Sequence, residues 1–141
     1  GGKQVCQWAQ NGVFQGELSS IRELEKKSLC HTVWTFIAPF IGGICNCDRS
    51  DCMAMRSTVT KGFPVMFRAE YVAAVNPELC NGCRACMRAC QFGAMGFSIA
   101  QEKVVIDPLR CYGCGICRAS CTKNAITLND RSKVPVAANV W

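Results

Sequence analysis

The chain lacks most of the signatures that would direct it to a membrane, to the secretory route or to a familiar enzyme chemistry. No apolar run approaches the roughly 18 residues that a membrane span requires. The longest candidate, Thr32 to Ile44, is broken by Pro39 and by Gly42-Gly43. No stretch reads as the charged and apolar regions of a signal peptide, which argues against a disulfide framework of the secreted kind. There is no Gly-rich phosphate loop after a strand, no dinucleotide fingerprint, and no Ser-His-Asp or Cys-His pairing with an orienting group. Histidine occurs once, as His31. No run of basic residues interleaved with aromatics suggests a nucleic-acid interface. The expectation is therefore a chain with no membrane span, no nucleic-acid partner and no small-molecule substrate site.

Cysteine, by contrast, is abundant: 13 residues of 141. Eight fall in two copies of one spacing, Cys80-Asn81-Gly82-Cys83-Arg84-Ala85-Cys86 with Cys90, and Cys111-Tyr112-Gly113-Cys114-Gly115-Ile116-Cys117 with Cys121. Three thiolates so closely spaced wrap one face of a cubane cluster, while the fourth is carried off on a short helix and reaches the neighbouring cluster. Two interleaved 4Fe-4S centres are expected. A zinc ribbon also uses Cys-x-x-Cys pairs, but it needs only four ligands per ion and has no use for a third Cys repeated at the same offset.

The formal charge of +6, from 16 Lys and Arg against 10 Asp and Glu, has to be read with those centres in place. An oxidised 4Fe-4S core with four thiolates carries about minus two, so a pair of them lowers the holoprotein to roughly +2. Much of the basicity is counter-charge. Arg84, Arg88, Arg110, Arg118 and Lys123 lie in or beside the motifs, where they offset anionic clusters or simply form solvated helix faces.

Local patterns place the motifs. Residues 1 to 16 read as an irregular arm; Ser20-Ile21-Arg22-Glu23 matches a capping box, and Leu18, Ile21, Leu24 and Leu29 suggest a helix over 17–29. Val33 to Ile37 reads as a short strand, with further extended candidates at 65–68 and 70–75. Within the repeat, 92–97 and 124–128 occupy equivalent places after each fourth Cys, and Lys103 to Asp107 precedes the second copy as Tyr71 to Asn76 precedes the first. The period is strand, cluster loop, short helix, strand, with the clusters contributing to the stability of a small core. The tail from Asn129 to Trp141 is expected to dock on the N-terminal region. Met53, Met55, Met66, Met87 and Met95 read as core filler.

Residues 76 to 128 closely resemble the bacterial two-cluster 4Fe-4S ferredoxin family, in the cysteine spacing, in Ile106-Asp107 before the second motif and in Ala125-Ile126 after it. The resemblance implies an α+β, ferredoxin-like pseudo-two-fold fold, two β-hairpins and two short helices around two 4Fe-4S clusters. A small α/β N-terminal extension over 1–75 precedes this domain, which runs over 76–141. Carried over by position, it assigns Cys80, Cys83, Cys86 and Cys121 to one cluster and Cys111, Cys114, Cys117 and Cys90 to the other. It implies low-potential one-electron transfer. The family usually has Pro after each fourth Cys, whereas Gln91 and Thr122 stand here, adding an N–H that either bonds a cluster sulfur or loosens the turn.

Five cysteines remain: Cys6, Cys30, Cys45, Cys47 and Cys52. Cys30, Cys45, Cys47 and Cys52, with His31 as an alternative ligand, supply a possible third site, either an iron-sulfur cluster or zinc. The plainer reading is buried thiols packing as small hydrophobes. Function then reads as an electron carrier, a ferredoxin or the ferredoxin component of a larger oxidoreductase, with the extension docking redox partner proteins in a stable complex. The alternative is a catalytic or redox-sensing protein whose N-terminal metal is fed by the two clusters. Oxygen-labile centres make a cytoplasmic, anaerobic setting the default.

Overall fold

The computed structural model describes residues 5–7, 18–34, 43–50 and 52–140. It divides into two compact units, 1–67 and 68–141. The boundary falls earlier than the expected 75/76 because residues 71–75 pair with a strand near the C-terminus and so belong to the second unit.

In the first unit the described elements are β1 (Val5–Gln7), α1 (Leu18–Lys26), β2 (Cys30–Trp34), β3 (Gly43–Cys47) and α2 (Met53–Lys61). The three strands form one antiparallel sheet in the order β1-β3-β2. Helix α1 begins at Leu18, so Ser20 to Glu23 lie inside it rather than at its cap. It ends before Leu29, where Ser28 takes a positive φ of 61° and the Leu29 N–H returns to the Leu24 carbonyl at 3.0 Å. That early stop releases Cys30 into β2. The strand expected at 33–37 therefore starts upstream, and residues 35–37 lie outside the described residues, as does most of the arm at 1–16. The candidate at 65–68 is reduced to a bridge between Trp34 and Met66 and a bond from the Phe67 N–H to the Val33 carbonyl. Met55 and Met66 are fully buried, as expected of filler, but Met53 is 74% exposed.

The second unit contains β4 (Tyr71–Val75), α3 (Ala85–Ala89), β5 (Met95–Ser98), β6 (Lys103–Ile106), α4 (Ile116–Ala119), β7 (Ile126–Asp130) and a 3-10 turn at Arg131–Lys133. Strand, cysteine loop, short helix and strand thus occur twice in succession. The pairing corrects the expectation of two hairpins. Only β5 and β6 form one, in the register Met95↔Ile106 to Ser98↔Lys103, while β4 pairs with β7 across the two ends of the unit, from Tyr71↔Asp130 to Val75↔Ile126. Each sheet thus joins one strand of each copy. The core between them holds Val72, Ala73, Ala94, Val104 and Ile126 together with Cys86, Cys111 and Cys117, so the thiols are part of the packing itself. The tail closes on this unit: Ala137 is fully buried in the same core and Val134 packs against it.

Candidate metal centres

Each cysteine loop is launched by a matched turn. Asn76 Oδ1 accepts from the Glu78 N–H, and Asp107 Oδ1 accepts from the Leu109 N–H, both at 2.9 Å. The same two residues tie the copies together, since the Asn76 N–H donates to the Ala125 carbonyl and the Asp107 N–H to the Ala94 carbonyl, both at 2.8 Å. Inside the loops the left-handed positions match as well. Gly82 and Gly113 have φ of 71° and 76°, Arg84 and Gly115 have 61° and 83°, and Gly93 and Asn124 have 65° and 51°. Arg84 carries the cost of its conformation, roughly 1–2 kcal/mol, while its guanidinium lies 3.8 Å from the Phe97 ring centroid.

These turns bring the eight cysteines around two cavities. Cys80, Cys83, Cys86 and Cys121 line one, walled by Val75, Val104, Ala125 and Ile126. Cys90, Cys111, Cys114 and Cys117 line the other, walled by Ala73, Phe92, Ile106 and Ile116. Each quartet takes three cysteines from one copy of the motif and the fourth from the other copy. Cys83 is exposed, whereas its counterpart Cys114 is half-buried. All eight are thiols, with no disulfide among them.

Burial pushes the Cys86 thiol up, with the nearby Cys121 and Cys83 adding to the effect. Cys117 is pushed up further, again chiefly by burial and then by Cys114, Cys111 and Cys90. Four thiolates crowded into an apolar cavity repel one another until a cation sits among them. In the metal-free folded chain these thiols keep their protons at a pH where the unfolded chain, titrating near 9.0, loses them. Metal-free protein is therefore expected to keep its full stability below about pH 9 and to lose it as pH rises further, whereas iron-loaded protein shows no such loss. Denaturant titrations of both forms at stepped pH check this.

Backbone donors already point at the sulfurs. The Ala94 N–H reaches Cys90 Sγ at 3.3 Å, the Ala125 N–H reaches Cys121 Sγ at 3.4 Å, and the Ala73 N–H reaches Cys111 Sγ at 3.5 Å. These donors to the two fourth sulfurs stand four residues beyond each of them. The five basic residues marked in the sequence are all exposed; of these, Arg84 and Lys123 rim the first cavity. The cations bonded to cysteine carbonyls are others. Lys103 Nζ donates to the Cys80 carbonyl, and Arg68 Nη1 (3.2 Å) and Arg131 Nη2 (2.8 Å) donate to the Cys111 carbonyl. Arg131 is buried, with Nε on the Ala69 carbonyl at 2.7 Å and Nη2 also on the Tyr71 carbonyl at 2.9 Å. Its Nη1 and the Arg68 Nε are buried without a hydrogen-bond partner, which suits an anionic group that is not protein nearby. Arg68 also lies over the Tyr112 ring, which stacks on Phe92 at 4.2 Å.

Two soft-donor quartets, apolar walls and converging N–H groups fit iron-sulfur clusters. The glycine cradle tests the fit. A Cβ at Gly113 would collide with the Tyr71 carbonyl oxygen, and one at Gly82 with that of Glu102. Gly113→Ala is expected to cost about 1–2 kcal/mol from the left-handed backbone alone, with loop displacement added, and to lower occupancy of the second cavity first. Iron per chain after anaerobic reconstitution measures it.

In the first unit Cys30 stands opposite Cys47 and Thr32 opposite Cys45. Cys30, Cys47 and Cys52 are buried. His31 takes the other face of β2, its Nδ1 2.6 Å from Asn46 Oδ1, which removes it from the side that carries Cys30 and Cys47. Among the described residues no three His, Cys, Asp or Glu side chains gather closely enough for a single metal ion, and no helix is long and apolar enough to cross a membrane.

Residues 79–125 match the family model of the 4Fe-4S dicluster domain. The match lies within the second unit and supports an iron-sulfur domain of the ferredoxin type there. A comparison with curated proteins finds no match for the chain.

Proposed function

We propose that the protein carries single electrons through two 4Fe-4S clusters, as a ferredoxin or as the ferredoxin component of a larger oxidoreductase. The observation that carries this reading is the pair of cavities, each lined by a quartet drawn from both copies of the motif. Cys80, Cys83, Cys86 and Cys121 hold one cluster, and Cys111, Cys114, Cys117 and Cys90 the other. A cluster with four protein thiolates supplies reversible one-electron exchange and leaves no coordination position for a substrate. The chain's own residues do the rest. Apolar walls exclude water, the N–H groups of Ala73, Ala94 and Ala125 stabilise the more negative state of the sulfurs, and Arg68 and Arg131 add positive charge on the Cys111 side.

Matched turns, matched left-handed positions and crossed backbone bonds support a pseudo-two-fold relation between the copies. Exposure at Cys83 makes the first cavity the face on which redox partner proteins dock, in a cytoplasmic, anaerobic setting. A potentiometric titration followed by electron paramagnetic resonance tests the reading. Two one-electron centres in the second unit, the Cys111 centre reducing at the higher potential, are expected; a chain that takes up no electrons reversibly would end it.

A further inference from the structure

Among the described residues of the first unit the largest fully buried side chains are Met55, Met66, Cys30 and Cys47, at 0–1% exposure, and Cys52 follows at 3%. The sheet register shows how the cysteines come together. Residues directly opposite in an antiparallel pair share a face, as do residues two apart along a strand. Cys30 pairs with Cys47, Cys45 lies two residues before Cys47, and β1 places Cys6 opposite Cys45. Cys30, Cys47 and Thr32 therefore share one face of the sheet, with Cys45 and Cys6 at adjoining register positions of the backbone, and His31 and Asn46 lie on the other.

The turn that follows β3 carries the chain to Cys52, which is also buried. Asp48 accepts from the Ser50 N–H at its side chain and from the Cys52 N–H at its carbonyl (3.1 Å), which sets Cys52 at the residue before α2. A second feature points the same way. Thr32, 6% exposed, sits on the cysteine face two residues after Cys30 and opposite Cys45, and its Oγ1 has no hydrogen-bond partner. A buried hydroxyl without an acceptor costs about 1–3 kcal/mol, and a thiolate or inorganic sulfide is the acceptor that this face can offer. Thiols packing as small hydrophobes account for each cysteine alone. They explain neither the placing of Cys30 opposite Cys47 nor the stranded hydroxyl.

We infer that the first unit binds a third iron-sulfur cluster through Cys30, Cys45, Cys47 and Cys52, with Thr32 donating to a cluster or ligand sulfur. The inference goes beyond the two ferredoxin centres and does not depend on them. Full-length protein reconstituted anaerobically with iron and sulfide is assayed for iron, acid-labile sulfide and zinc. About twelve irons per chain are expected in the parent and about eight in Cys47→Ser, with the two ferredoxin resonances unchanged in the variant. About eight irons in the parent, the same count in both proteins, or one zinc per chain in place of the additional iron overturns the inference. A failed ferredoxin reading looks different, because those two resonances would then be missing from parent and variant alike.

Thr32→Val keeps the shape and removes the donor, so it tests the site in a chain whose ligands are all present. The expected result is an unchanged iron count and a lowered potential of the additional centre alone. A variant that is merely more stable, with every potential unmoved, overturns the role given to Thr32.

Discussion

Cys121→Ser is expected to remove the centre built on the first motif, although Cys121 belongs to the second. Its thiol lines the same cavity as Cys80, Cys83 and Cys86, more than thirty residues earlier in the chain, and contributes directly to the upward push on Cys86. Serine offers a harder oxygen and leaves the Ala125 N–H without its sulfur acceptor. The loss should be about four irons per chain. The decisive readout is spectral identity: Cys121→Ser and Cys83→Ser should leave the same residual resonance, and Cys90→Ser and Cys114→Ser should leave the other. If Cys121→Ser instead matched Cys114→Ser, each motif would be gripping its own cluster with all four cysteines, and the crossed arrangement would be wrong.

Arg131→Met should produce the largest loss of stability in the second unit. The side chain is buried and serves the carbonyls of Ala69, Tyr71 and Cys111 at 2.7–2.9 Å, joining the strand β4 to the start of the second cysteine loop. Methionine fills the volume but takes the donor from the Ala69 and Tyr71 carbonyls and leaves that of Cys111 to Arg68 alone. At about 1–3 kcal/mol for each carbonyl that loses its partner, a total loss of about 2 kcal/mol or more follows. The cluster at Cys111 should then be released faster to an iron chelator than the one at Cys80. Arg131→Lys separates charge from geometry: it keeps the cation while losing the fork that spans three carbonyls. The potential of the Cys111 centre should fall by on the order of tens of millivolts in the methionine variant and move less in the lysine one. Equal release rates for the two clusters would show that Arg131 is incidental.

The parts of the site that were legible in the sequence are those fixed by short spacing. The Cys-x-x-Cys-x-x-Cys run and its repeat at Cys111 are visible at once in the sequence, and the same cysteines line the two cavities. Strand positions near the motifs were close for the same reason, since β4 and β6 each feed a cysteine loop. Pairing was not legible, because the union of β4 with β7 depends on both ends of the unit meeting, which no local pattern encodes. The charged partners were missed for a related reason. Arg68 and Arg131 stand outside the motifs, and contacts 43 and 20 residues away in sequence make them neighbours of Cys111. Arg84, Arg88, Arg110, Arg118 and Lys123 were conspicuous only because they sit among the cysteines.

The first unit was harder to read. Helix α2 carries Thr58, Val59 and Thr60, which are poor helix formers, and presents Met53 to solvent, so no clean apolar stripe announced it. Its end is set by Gly62 at φ 72°, whose N–H returns to the Ser57 carbonyl. The cysteines of this unit were visible as a cluster in sequence, but which of them stand opposite one another depends on the register of β1, β2 and β3. His31 adjoined Cys30 in the chain and looked equally available. Strand alternation sends it to Asn46 instead.

Iron anomalous scattering from crystals grown without oxygen tests the central claim most directly. The account predicts two four-iron peaks in the second unit, one bonded to the sulfurs of residues 80, 83, 86 and 121 and the other to those of 90, 111, 114 and 117. Zinc at those sulfurs, disulfides among them, or a cluster held by all four cysteines of a single motif would contradict it.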